Sequence, residues 1–170
     1  MSEAADNYTL RPEGFRRVAD VLVSQQHPHA PLWLEVSART AQEAADALGV
    51  SLGQIAKSVV FRRKSDEAAV LVITSGDKRV DEKKLVPHTG ALGRADADYV
   101  KARTGFSIGG VSPVGHAAAD GSRPLLYIDR ELFRFDHIWA AAGHPNGVFK
   151  LSPLDLERLT GAPVIDVVQL

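Results

Sequence analysis

The residues most suited to chemistry lie between Thr104 and His116, where four glycines, a proline and two serines interrupt the apolar Phe106, Ile108, Val111 and Val114. Glycine serves where a backbone needs positive φ or close approach. Gly109-Gly110 sits inside an otherwise strand-like run, which predicts a bulge or a ligand held against the main chain. With no side chain in the way, the amides of Gly109, Gly110 and Val111 can be aimed at an oxygen. A tight turn without a ligand would show the same spacing. Ser112 is a poor covalent nucleophile, because an elbow of the G-x-S-x-G kind uses the N–H after the serine, and Pro113 has none. No P-loop or dinucleotide fingerprint occurs.

Lys57 is the second candidate. Its neighbours Ile55, Ala56, Val59, Val60 and Phe61 are apolar, so its stem is expected along core surface with the ammonium at a sheet edge. A solvated helix end is the plainer reading. Gly143-His144-Pro145-Asn146-Gly147 reads as a turn. His116 could act as a base or a cap, while His27 and His29 lack further ligands at metal spacing and read as a loop. No metal site and no cofactor are expected.

Thr104-Gly105 followed by Gly109-Gly110-Val111-Ser112-Pro113-Val114-Gly115 resembles the T-G…G-G-[IV]-S-P-x-G signature of the YbaK/ProX family. These are aminoacyl-tRNA deacylases related to the editing domain of bacterial prolyl-tRNA synthetases. The resemblance runs from about Val36 to the C-terminus and includes Ala56-Lys57-Ser58 and the Gly143 loop. It implies a catalytic role for Lys57, orienting the aminoacyl ester and stabilising negative charge. It also implies substrate contacts from Gly109, Gly110, Val111, Ser112, Pro113, Gly143, His144 and Asn146. The cysteinyl-clearing branch has K-R-G and a nearby aspartate, where this chain has His144-Pro145-Asn146. That departure points to a non-cysteinyl substrate.

Several elements must position these groups. Pro12 opens a helix with Phe15, Val18, Ala19 and Leu22 on one face. A strand is predicted at Leu32–Val36, and Thr40-Ala41-Gln42-Glu43 is a capping box whose helix stops at Gly49. Ser51-Leu52-Gly53-Gln54 starts a turn that delivers Lys57. Ser58–Arg62 and Ala68–Thr74 form a hairpin. Asp81–Leu85 is a short helix stopped before Pro87, and Asp96 or Asp98 caps another running to Arg103. Strands follow at Pro124–Ile128, His137–Ala142, Gly147–Leu151 and Val164–Val168, with a helix from Ser152-Pro153 to Gly161. Hairpins mixed with helices predict an α+β fold. The resemblance implies the same: a single domain built on a curved, barrel-like mixed sheet flanked by helices.

Composition sets the outer bounds. The 170 residues, 45% hydrophobic, suffice for one cored domain, read as 11–170 after a polar, frayed 1–10. The absence of cysteine excludes thiol nucleophiles and disulfides. No signal-like run or 18-residue apolar span occurs, which places the protein in the cytoplasm, away from membranes. The net charge is −1, yet Lys57 to Arg103 holds 11 of the 20 basic residues against seven acidic ones. That excess suits a few phosphate contacts, or an ordinary solvated face.

The reading that follows is a trans-editing hydrolase. It would cleave mischarged aminoacyl-tRNA, notably tRNA for proline carrying a wrong small amino acid, with prolyl-tRNA synthetase as a further partner. The alternative is a non-catalytic module binding aminoacyl-tRNA or a synthetase. A serine esterase using Ser112 and His116 ranks last.

Overall fold

The computed structural model describes residues 8–169. A helical turn at 8–10 leads into α1 (Glu13–Ser24), which buries Phe15, Val18, Ala19 and Leu22 along one face, as the helical period requires. Then come β1 (Leu32–Trp33), α2 (Ala41–Leu48), a 3-10 turn (Leu52–Gln54), β2 (Ile55–Arg63) and β3 (Ala69–Ser75). They are followed by α3 (Glu82–Thr89), β4 (Leu92–Arg94) and α4 (Ala97–Thr104). After an irregular stretch, the chain continues as β5 (Leu125–Asp129), a 3-10 segment (Arg130–Arg134), β6 (Ile138–Ala141), β7 (Gly147–Leu151), α5 (Pro153–Thr160) and β8 (Val164–Ile165).

The strands form one mixed sheet in the order β1-β7-β6-β2-β3-β5-β8, with β4 also paired to β2. The pairs β2·β6, β3·β5 and β5·β8 are parallel, and the others are antiparallel. Alternation along β3 sends Leu71 and Ile73 to one face and Val70 and Val72 to the other. Helices α1, α4 and α5 cover the first face with Phe15, Val100 and Leu156, and α3 covers the second with Leu85. Both faces of β3 are therefore dry, so its run of apolar residues is unbroken. This is the α+β fold expected from the sequence.

Local signals place most helix ends. Thr40 and Glu43 make a reciprocal capping box, and Gly49 ends α2 at φ +68°. Ser152 and Asp155 cap α5, which Gly161 ends at φ +66°. The structure corrects the sequence reading in several places. Lys57 lies inside β2, because the strand begins at Ile55 immediately after the 3-10 turn. α3 runs through Pro87, its last turn held by the Gly90 amide donating to the Val86 carbonyl and by fully buried Leu85. β4 has too few residues to show alternation and exists through its pairing to β2. Residues 106–116 form turns, with no strand. β1 and β8 are shorter than expected, although Val168 adds an isolated bridge to Val80. The frayed terminus expected at 1–10 falls mostly outside the described residues, and 8–10 are helical.

α1 grips the glycine-rich stretch. Arg17 Nε donates to the Gly115 carbonyl at 2.6 Å and Nη2 to that of Gly105 at 3.2 Å, while its guanidinium lies 4.6 Å from the Phe106 ring centre. Phe106 is 1% exposed and joins the stretch to the main core. Phe106→Ala is expected to cost about 3–5 kcal/mol, the usual range for emptying a buried phenyl site. A urea titration with an unchanged m-value checks it.

Candidate functional site

One edge of β2 is divided between two partners and left open in the middle. It pairs with β6 only at Ile55↔Trp139 and Ala56↔Ala140, and with β4 only from Phe61↔Arg94 to Arg63↔Leu92. Lys57 to Val60 have no strand neighbour there. On the other edge, Gly76 donates to the Ile55 carbonyl and Arg63 to that of Ala68, so odd-numbered residues face β3 with their backbone groups. Successive residues of an antiparallel ladder turn those groups to opposite edges. The N–H and C=O of Ser58 and the N–H of Val60 therefore face the opening.

A cleft of about 360 Å³ fills it. Six consecutive residues, Ile55 to Val60, line it, which a strand does only where its edge borders the cavity. The remaining wall comes from the start of α2 (Ala38 to Ala41, and Ala44), from Ala95 and Val100, from Ile108, Gly109 and Val111, and from β6 and β7. Arg39 and Lys57 are the charged side chains of this lining, which contains no carboxylate and no histidine.

Lys57 shares its face of β2 with Ile55 and Val59 and is half-buried, its Nζ 3.5 Å from the Gly76 carbonyl. Burial pushes the ammonium below the ordinary lysine value; Asp77 pulls it back up, Arg79 lowers it, and Asp129 raises it. Asp77 is itself fixed by Arg134, at 2.8 Å. Ser58 lies on the opposite face with Ala56 and Val60, and its buried Oγ has no hydrogen-bond partner among the described residues. Leaving such a group unpaired costs about 1–3 kcal/mol, and among the described residues Ser58 is the cleft-lining one with such an atom. The sequence reading passed over it. A hydroxyl alternating with Ala56 and Val60 on the apolar face was the available signal.

The other predicted residues separate. Gly109 and Val111 line the cleft with Lys57. Gly110 donates its amide to Ser107 at 3.0 Å, so that amide is committed to a turn. Ser112 is fully buried and its Oγ accepts from the Val114 amide. Pro113 lines a second cavity of about 520 Å³ with Val114, Gly115 and His116. His116 Nε2 donates to the Ser112 carbonyl at 2.8 Å, and burial lowers its pKa. It does not engage the Ser112 hydroxyl.

Gly143, His144 and Asn146 stand just behind the wall, where Gly147 and Val148 form the lining. His144 lies 4.8 Å from Trp33, ring centre to ring centre, and its Nδ1 accepts from the Asn146 amide. Burial and then the charge of Arg39 lower its pKa. Asn146 Nδ2 donates to the Leu34 carbonyl at 2.8 Å, holding the loop that follows β1. Outside the cleft, His27 Nε2 contacts the Lys150 carbonyl.

Every residue lining the cleft lies within 35–159, the segment matched by the family described as the aminoacyl-tRNA editing domain. The chain belongs to that family. It is 37% identical over 135 residues to the uncharacterized protein YwhH of Bacillus subtilis, covering 78% of this chain and 83% of that one. A crystal structure of a candidate trans-editing enzyme for prolyl tRNA synthetase superposes with a TM-score of 0.84 at 37% identity, covering 94% of this chain and 99% of that one. Proline--tRNA ligase of Pelotomaculum thermopropionicum is 40% identical over 79 residues, 45% of this chain and 14% of the ligase. The editing region of a synthetase and this chain are thus homologous.

The glycine pair joins the cleft to the loop behind it. A Cβ on Gly110 would lie 2.8 Å from His144 Cα and 2.9 Å from its carbonyl carbon, so the two loops meet backbone to backbone. Gly110→Ala is expected to part them and destabilise the domain by about 1–3 kcal/mol, as overpacking does. Thermal or urea unfolding reads the loss.

Proposed function

We propose that this chain is a deacylase that hydrolyses the ester of mischarged aminoacyl-tRNA. Its substrate is tRNA for proline bearing a wrong small amino acid. The observation that carries this reading is the open edge of β2, which puts an ammonium, an unpartnered hydroxyl and free backbone groups beside one small cleft. About 360 Å³ is in the range of small-molecule sites. Walls of alanine, glycine, valine and isoleucine, without a carboxylate, suit a short apolar side chain and offer no counter-charge to a cationic one.

Water attacks the ester carbonyl carbon, the carbon–oxygen bond to the ribose breaks, and the ribose hydroxyl leaves with a proton. The products are a free amino acid and an uncharged tRNA. Lys57 opposes the charge that develops on the carbonyl oxygen, and the Ser58 N–H and the Gly109 amide supply further donors. Donors fixed in advance contribute in this way without reorganisation; losing one costs about 100- to 1,000-fold in rate. The Ser58 carbonyl can accept from the substrate's α-ammonium. The protein works in the cytoplasm, beside prolyl-tRNA synthetase.

A second reading, a non-catalytic module that binds aminoacyl-tRNA, is favoured by one feature. No carboxylate or histidine in the lining can take the proton from water. A panel of mischarged tRNAs separates the two. Hydrolysis of alanyl-tRNA for proline at catalytic enzyme, lost by at least about 100-fold in Lys57→Ala with the fold intact, supports the deacylase. Saturable binding with no product supports the module.

The environment of Lys57 gives a pH signature. Its pKa is depressed, so the ammonium is lost as pH rises through a value below that of ordinary lysine. After correction for spontaneous hydrolysis, kcat/KM is expected to fall over that alkaline range. Asp77→Asn removes an influence that raises the pKa, so the alkaline limb moves to lower pH. An unmoved limb would show that it does not belong to Lys57.

A further inference from the structure

Three loops converge on one rim of the cleft. The Leu34 amide donates to the Asn146 carbonyl and the Ala38 amide to that of Pro145, both at 2.7 Å, which ties 34–38 to the Gly143 loop. Gly110 abuts the His144 backbone, and a Cβ on Gly109 would lie 3.2 Å from Cβ and Cγ of Arg39. The rim so formed is cationic and apolar together. Arg39 is exposed and makes no hydrogen bond or ion pair with another described residue, whereas Arg62, Arg63, Arg103 and Arg134 each have a carboxylate within 4.0 Å. Ile108 is 52% exposed beside it. The tilted Trp33–His144 pair lies behind, with the Arg11 guanidinium 4.5 Å from the Trp33 ring centre.

We propose that Arg39 anchors the phosphodiester of the 3′-terminal nucleotides of the tRNA, with exposed Ile108 as the apolar surface against which an unpaired base lies. This rests on the aminoacyl-tRNA reading above and adds how the polymer is held. The cleft takes the esterified amino acid, so the terminal ribose sits at its mouth and the phosphate on its 5′ oxygen lies further out, on the rim. With no carboxylate in the lining, the counter-charge for Arg39 comes from the ligand. Single strands are held in this fashion, by cations on phosphates and flat or apolar side chains on bases. Arg39 touches no reacting atom; it is a positioning residue.

The test compares two alanyl esters, alanyl-tRNA for proline and 3′-O-alanyl-adenosine, which has the ribose ester and the base but no phosphate. Arg39→Ala is expected to raise KM for the tRNA about tenfold or more with kcat nearly unchanged, and Arg39→Lys to recover part of the loss. Any loss on alanyl-adenosine is expected to be several-fold smaller than the loss on the tRNA. The slope of log affinity for the tRNA against log salt falls by about 0.7, as for one lost phosphate contact on a single strand. Binding of the tetranucleotide ACCA, labelled at its 5′ end, weakens in parallel. Equal losses on both esters, or no change on the tRNA, overturn the assignment of Arg39 while leaving the deacylase reading standing. Wild-type protein that binds ACCA through Arg39 but cleaves neither ester overturns the deacylase reading and leaves the anchor.

Discussion

The interrupted pairing of β2 is the constraint on which the remaining architecture depends. The strand is bonded to β3 along its whole length, so it is rigid, yet its other edge is covered only at its two ends. Unpaired backbone groups at a sheet edge are normally hidden or blunted, because they invite another chain to pair. Here they are sheltered by α2, by the glycine-rich stretch and by the loop before β7. A sheltered edge is a fixed array of donors and acceptors that requires no rearrangement to meet a ligand. The same array carries Lys57 and Ser58 on consecutive residues, so one strand presents a cation on one face and a hydroxyl on the other.

The electrostatics follow from that geometry. Lys57 is half-buried against an apolar strand, which disfavours its charge, and Asp77 and Asp129, placed beyond the cleft, favour it. Asp77 follows the turn after β3 and is anchored by Arg134. Asp129, fully buried, is satisfied by the Thr74 hydroxyl and by the amides of Ser75 and Glu131. Negative charge is thus available to the ammonium without any carboxylate intruding on the cleft. The fold keeps the counter-charge on the far side of the sheet's end.

What the sequence made legible was local. Caps at Thr40, Asp96 and Ser152 and the stops at Gly49 and Gly161 depend on neighbours within a turn, and they stand where spacing predicts. The family signature, carried by short motifs, was legible for the same reason. The divided edge of β2 was not, since it arises from partners 29 or more residues away in the chain. Ser58 looked like an incidental neighbour of Lys57 until its edge had no partner. Arg39 carried no signal before its capping box, because its setting depends on Gly109 and on the Gly143 loop. The strand-like run at 106–116 left a bulge and a tight turn equally open to the sequence; the turn closed by Gly110 onto Ser107 decides between them.

α1 lies upstream of residue 35, where the family match begins, yet Gly14 touches the loop at Gly143 so closely that a Cβ on either would come within 2.4 Å of the other's carbonyl oxygen. Phe15, Val18 and Leu22 from the same helix fill the main core. The unit that folds is therefore larger than the unit that a signature delineates. A fragment trimmed to 35–159 would bare an aliphatic seam, and the wall behind the cleft would lose the helix that braces it.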